Sequence, residues 1–266
     1  MKQTSISPKS RYNIEALARG LELLALFSAE RPSLSLSQIV EALPLNKSTA
    51  YRILATLEAQ QYLVQDPLTR LYRPGLKVLQ LGFTALNSLE VRQIARPHLE
   101  KLAQALDETV SLAVLDGFRT VYIDRIRNQS IVGVMLGIGS SLPAHCTALG
   151  KVLLADLAAG ELDAMLTTHD LRAYTPKTIT TPEVLRVALA TIRQQGYALD
   201  DEELSAGLQA VAAPLYDQTG RVVAAVNVTG TTLNISPARL RDEILPALKA
   251  AAHEISLALG AAPGPH

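Results

Sequence analysis

His145 and Cys146 stand side by side in LPAHCTALGK, and a thiol beside an imidazole is the pairing a cysteine hydrolase uses. That chemistry needs the base within hydrogen-bond reach of the sulfur, whereas neighbours in an extended segment point apart. No G-x-S-x-G, P-loop or G-x-G-x-x-G is present, and the five histidines fall at no metal-ligand spacing. No catalytic residue, metal or cofactor is therefore expected, and His145 reads as a structural or pocket-rim residue. The better-placed polar groups are Lys47, Ser48, Thr49, Tyr51 and Arg52, with Arg70 and Arg73 downstream. Cations and hydroxyls crowded in this way suit contacts to phosphates and base edges.

The elements around them are legible from Ser35 to Arg73. Ser35 with Gln38 three residues on is a capping box, and Leu36, Ile39, Val40 and Leu43 follow at the helical period, predicting a helix over 36–43. Pro44 breaks it, Asn46 can cap a second helix, and Ala50, Ile53, Leu54 and Leu57 repeat the spacing. That leaves the polar cluster on faces the core does not need. Tyr62–Gln65 and Arg70–Arg73 read as strands joined by the turn Asp66-Pro67-Leu68-Thr69. Two short helices and a wing make a winged helix-turn-helix, whose second helix enters the major groove while the wing rides the backbone. The bland alternative is a small helical domain with solvated polar positions.

The chain has 266 residues, 48% hydrophobic and 19% charged, enough for two globular domains. Its net charge is zero, yet residues 1–77 hold 10 Lys/Arg against 6 Asp/Glu, leaving 15 against 19 for the remainder. The positive excess thus sits with the proposed reading helix, and is modest enough that two or more such domains must act together. The lone Cys146 excludes an internal disulfide framework. No apolar run approaches the roughly 18–20 residues of a membrane span, and MKQTSISPKSRYN lacks the apolar core of a secretion signal. A cytoplasmic protein without a membrane partner is expected.

Taken in order, 1–10 reads as a disordered tail, 11–75 as the winged-helix domain, 76–88 as a linker helix, 89–260 as a second domain and 261–266 as another tail. In the first helix, from near Asn13, Ile14, Leu17, Ala18, Leu21, Leu24 and Ala25 share a stripe expected to pack behind the helix-turn-helix. Leu76, Leu79, Phe83 and Leu86 mark the linker helix, a candidate dimer contact. A helix over 89–106 contains Pro97, where a kink or break is expected. Strand patterns then appear in VSLAVLDG, TVYIDRIR and IVGVML, with Asp116-Gly117 a hairpin signal. Helices follow at 148–157, 160–167 and 182–195, a short strand at Tyr197–Asp200, strands at 208–217 and 221–230, and a helix from Pro237 to Leu259. This predicts an α+β fold with a mainly antiparallel sheet.

With both halves laid out, the chain resembles the IclR family of bacterial transcriptional regulators over nearly its full length. The resemblance rests on ALARGLELL, LNKSTAYRILATLEAQQYLVQD, LPAHCTALGKVLLA and GYALDDEELSAGLQAVAAPL, and the first and third look most like the subgroup regulating aromatic-acid catabolism. It implies a GAF-like or PAS-like effector domain at the C-terminus, double-stranded DNA and a small carboxylate as partners, and homodimers that pair into tetramers. It also implies effector contacts at Ile131, Val134, Leu142, Ala148, Leu149, Asp200, Leu208, Ala210, Asn227 and Thr229.

From the residues alone, Thr147 marks a helix start whose free amides at Ala148, Leu149 and Gly150 suit an anion, or else Thr147 simply caps it. Asp201, Glu202 and Glu203 read mostly as a solvated acidic turn. A ligand-free DNA binder is a further alternative, although it would not need a second domain larger than its reading head.

Overall fold

Side-chain caps start the two helices that matter most in the N-terminal part. The computed structural model describes residues 14–28, 31–127 and 136–262, and the chain divides into two units, Met1–Leu86 and Asn87–His266. The first unit holds α1 (Glu15–Leu24), α2 (Leu36–Ala42), α3 (Lys47–Ala59), a wing of β1 (Leu63–Gln65) and β2 (Tyr72–Pro74), and α4 (Leu76–Asn87). Ser35 Oγ accepts the Gln38 amide at 3.3 Å while the Gln38 side chain accepts the Ser35 amide at 2.8 Å, so the capping box forms. Asn46 Oδ1 accepts the Thr49 amide at 2.8 Å and starts α3. Leu23, Leu34, Ile39, Leu54, Leu63 and Tyr72 form the core beneath.

The wing is antiparallel, Val64 opposite Arg73, and its turn is tied by Asp66 Oδ1, which accepts the Leu68 and Thr69 amides at 3.0 and 2.7 Å. The stripe on α1 departs from expectation. Gly20 and Leu23 are buried and Leu24 half-buried, while Leu17 and Leu21 are each 59% exposed and Ile14 and Ala25 are also exposed. Periodicity marks which face leaves water, not what covers it. On α4, likewise, Leu76, Leu79 and Phe83 are exposed.

The second unit opens with α5 (Glu90–Leu106), which runs through Pro97 as one helix; the expected break does not occur. Buried Ala95, Leu99, Leu102 and Leu106 hold both sides of the proline in place. A six-stranded sheet follows, ordered β5-β4-β3-β8-β7-β6, from β3 (Thr109–Asp116), β4 (Arg119–Ile126), β5 (Ser141–Pro143), β6 (Ala198–Asp201), β7 (Leu208–Tyr216) and β8 (Val222–Thr231). Every pairing is antiparallel. The β3–β4 hairpin turns on Gly117 at φ +55°, as its sequence signals. The expected strand IVGVML lies largely outside the described residues; β5 was not anticipated.

Three helices, α6 (Ala148–Asp156), α7 (Ala159–Thr168) and α8 (Pro182–Gln195), separate β5 from β6. Ala113, Ala225, Ala210, Ala212 and Ala198 turn small side chains toward α6 and α8. By alternation Val110, Leu112, Val211, Val226 and Val228 face the other way, where α5 and the closing helix pack.

That closing segment is helical from α9 (Pro237–Arg239) through a π turn at Leu240–Ile244 into α10 (Leu245–Ala258). Gly260 at φ +89° ends it, the Gly260 and Ala261 amides donating to Leu257 and Ser256 carbonyls at 3.0 and 2.9 Å. This cap buries Ala261, expected in the tail. No helix among the described residues is long and apolar enough to cross a membrane.

Gly150, in the first turn of α6, leaves no room for a Cβ, which would lie 2.3 Å from the backbone of Ala144. Gly150→Ala should therefore lower stability by about 1–3 kcal/mol, read as a fall in the urea midpoint at unchanged slope.

Candidate functional site

Lys47, Ser48, Tyr51 and Arg52 are exposed on α3 and Thr49 is half-buried, while Ala50 and Leu54 turn inward. The inward pair fixes the roll of the helix, and the cap at Asn46 fixes where it begins. Arg70 and Arg73 are exposed on the wing, Arg70 in left-handed backbone at φ +59°. Among the described residues, the exposed side chains of Lys47, Arg52, Arg70 and Arg73 make no hydrogen bond or ion pair. Their donors thus face solvent. The arrangement presents cations from one helix and one hairpin, with hydroxyl groups between, as a face able to meet phosphates and base edges.

The second candidate is a cavity on the α6 side of the sheet. Leu142, Ala148, Asp200, Leu208, Ala210, Asn227 and Thr229 all line it, and its volume is about 50 Å³. Leu149, by contrast, is fully buried in the core between helix and sheet and does not reach the lining. Consecutive helix positions diverge by about 100°, and here Ala148 turns to the cavity and Leu149 to the core. Ile131 and Val134 lie outside the described residues. Tyr122, Arg125, Leu136, Thr147, Leu204 and Gln209 join the lining without having been picked out as effector contacts. For Thr147 the signal was its place at the start of α6.

Thr147 Oγ1 accepts the Gly150 amide at 3.1 Å, so its side chain caps α6. Asp200 is 8% exposed and accepts the Glu203 amide at 2.8 Å. Burial pushes its carboxyl up to about 7; the Glu203 amide opposes the shift and the Glu203 charge adds to it. Glu203 itself is not part of a solvated turn: it is buried in an ion pair with Lys151 of α6. Lys151 Nζ also donates to the Leu199 carbonyl, so one ammonium ties α6 to β6 and to the turn after it. Asp201 and Glu202 do behave as surface acids, pairing with Lys177 at 2.9 and 2.7 Å. Asn227 donates to Thr229 Oγ1 at 2.9 Å and leaves Oδ1 buried without a partner.

Cys146 is buried, and its thiol is pushed up to about 12 by burial and then by the negative charges of Asp200 and Glu203. The nearest recorded partner of Sγ is the Pro143 carbonyl at 3.8 Å. His145 turns the other way: Nε2 meets the Arg172 carbonyl at 3.0 Å and the ring stacks near Phe118. Burial lowers its pKa. The thiol therefore has neither a base nor a thiolate population. Among the described residues no group of three or more His, Cys, Asp or Glu could hold a metal.

The profile for the bacterial transcriptional regulator IclR C-terminal domain matches residues 83–257, and that for the IclR helix-turn-helix domain matches 16–67. The chain belongs to the IclR family. It is similar to the HTH-type transcriptional regulator XynR of Escherichia coli K12, 36% identical over 93% of this chain and 98% of that one. Similarity to the Pca regulon regulatory protein of Pseudomonas putida is 34% over 90% and 82%. Among solved structures, an IclR homolog of Microbacterium hydrocarbonoxydans complexed with 4-hydroxybenzoate superposes with a TM-score of 0.78, at 27% identity, covering 92% of this chain and 99% of that one. This IclR-family chain is thus an effector-responsive, DNA-binding transcriptional regulator with its helix-turn-helix at the N-terminus.

The Asp200 carboxyl releases its proton near 7 when folded and near 3.8 when unfolded. Between those values the folded state holds a proton that the unfolded chain has lost, so this residue's contribution to stability falls as pH rises from about 4 to 7 and is flat outside that window. Asp200→Asn keeps the acceptor for Glu203 and removes the titration. Urea midpoints at pH 5 and 8 should show the variant gaining on wild type at the higher pH; equal differences at both would place the carboxyl at an ordinary pKa.

Proposed function

We propose that this IclR-family chain reads an operator with Lys47, Ser48, Thr49, Tyr51 and Arg52 of α3, while Arg70 and Arg73 of the wing hold phosphates. The observation that carries the reading is the unpaired donor set at the start of a capped, inward-anchored helix. A homodimer, or a tetramer built from two dimers, supplies the additional reading heads that a modest positive field requires. The exposed apolar residues Leu17 and Leu21 on α1 and Leu79 and Phe83 on α4 support such assembly. The protein acts in the cytoplasm and not as an enzyme: the Cys146 thiol, held near 12, has no base, and relatives are named as regulators.

The effector is a small carboxylate, aromatic acids included, held in the cavity bounded by Leu142, Ala148, Asp200, Leu208, Ala210, Asn227 and Thr229. An apolar cup with a few polar anchors is the usual make-up of such a site. The 4-hydroxybenzoate in the complex of the Microbacterium homolog supports an aromatic acid. A ligand that favours one arrangement of the oligomer shifts the population toward it and so changes the spacing of the reading heads.

Arg52→Ala should abolish specific operator binding with the circular dichroism spectrum intact, whereas Arg73→Ala should weaken binding to all sequences and lower the salt slope by about one; fluorescence anisotropy over a salt series distinguishes the two. An acid that occupies the cavity at about 100 times its dissociation constant should add about 2.7 kcal/mol of stability. Thermal melts of wild type and Asp200→Ala against keto, hydroxy and aromatic acids test it: a shift of the same size in both would remove Asp200 from the site.

A further inference from the structure

Among the described residues the cavity wall holds a cation in no ion pair. Elsewhere in this unit buried acids meet bases: Asp124 meets Arg96 at 2.6 Å, Glu108 meets Arg239 at 2.7 Å, and Glu203 meets Lys151. Arg125 differs. It is half-buried, its Nε is enclosed with no hydrogen-bond partner, and among the described lining residues it is the only cation. Burial lowers its pKa, and the ionisable groups acting on it are Tyr122 and Arg127, neither a carboxylate.

Register explains why this side chain faces the cavity. Arg125 pairs with Ser111 of β3, and Ser111 pairs with Asn227 of β8. Directly opposed residues share a face, so Arg125, Ser111 and Asn227 form a row. A bulge between Leu112 and Ala113 inserts one residue into β4, and so Tyr122, opposite Ala113, joins the same face although three positions separate it from Arg125. Asp124, one residue away, points to the opposite face and is met there by Arg92 and Arg96 of α5.

A planar guanidinium suits a carboxylate because both oxygens can be met at once. Two strand spacings, about 10 Å between backbones, separate Arg125 from Asn227, whose amide has one end unsatisfied. Asp200 stands beyond it on the same face, opposite Ala210, which itself opposes Thr229. These groups accept a hydroxyl. We propose that Arg125 is the carboxylate anchor of the cavity and that the effector is a hydroxy acid, its acid group on Arg125 and its hydroxyl on the side of Asn227 and Asp200. The inference rests on the carboxylate reading above and adds the anchor and the second polar group.

Calorimetric titration of the full chain with benzoate, 4-hydroxybenzoate and glycerate, each beside its primary amide, tests it on wild type, Arg125→Met and Arg125→Lys. On wild type a hydroxy acid should bind tightest and lose at least about 30-fold as the amide. On Arg125→Met acid and amide should bind alike, while Arg125→Lys keeps part of the preference. An acid preference that survives Arg125→Met overturns the anchor and leaves the carboxylate reading standing. Acid and amide binding equally to wild type overturns that reading and the anchor with it, and so does a panel in which nothing binds. Benzoate binding as tightly as 4-hydroxybenzoate overturns the hydroxyl. The wild-type comparison does not depend on the variants folding.

Discussion

The register between β3, β8 and β7 is the constraint on which the C-terminal unit depends. With Ser111 opposite Asn227 and Asn227 opposite Ala212, polar and small side chains lie on the α6 face and the valines on the other. A slip of one residue would exchange the faces. Val226 and Val228 would then enter the cavity, and Asn227 would be pressed among α5 and α10 with its amide unsatisfied. Cavity and core are therefore two sides of one pairing, and neither can be altered by shifting strands without destroying the other.

Within that frame the polar groups around the cavity are held at a disadvantage. Asp200 keeps its proton to about 7, and among the described residues Asn227 Oδ1 and Arg125 Nε have no hydrogen-bond partner. Each would be better hydrated in an open chain. Local departures of this kind concentrate at functional sites, where a ligand completes what folding leaves unfinished. The Lys151–Glu203 pair beneath them is a different case: it ties α6 to the turn after β6, so the two walls cannot separate freely.

Legibility in the sequence followed the range of the interaction. Capping at Ser35 and Asn46 is decided within three residues, and both caps, both helices and the wing form where their residue types predict. Strands β3, β4, β7 and β8 are long enough for their composition to show. Contacts decided by distant partners were not legible. Nothing near Glu203 indicates that Lys151, 52 residues earlier, meets it. Tyr122 and Arg125 are three apart, which in a regular strand means opposite faces, and only the bulge against β3 brings them together. The exposed stripe on α1 was visible as a stripe, but its partner is not encoded locally. Pro97 does not end α5, since flanking burial outweighs one missing amide donor. Of the effector contacts that the family resemblance implies, seven line the cavity, and Leu149 lies in the core one helical step from Ala148.

The tied turn of the wing bears on how quickly the protein finds its site. Asp66 accepts the Leu68 and Thr69 amides, the Thr69 hydroxyl adds a third bond at 3.0 Å, and the Gln65 side chain donates to the Arg70 carbonyl at 3.0 Å. The hairpin that carries Arg70 and Arg73 is thus already in shape before any duplex arrives. Encounter then has no loop to order and no slow folding step to wait for, and the approach is governed by diffusion in the field of the phosphates.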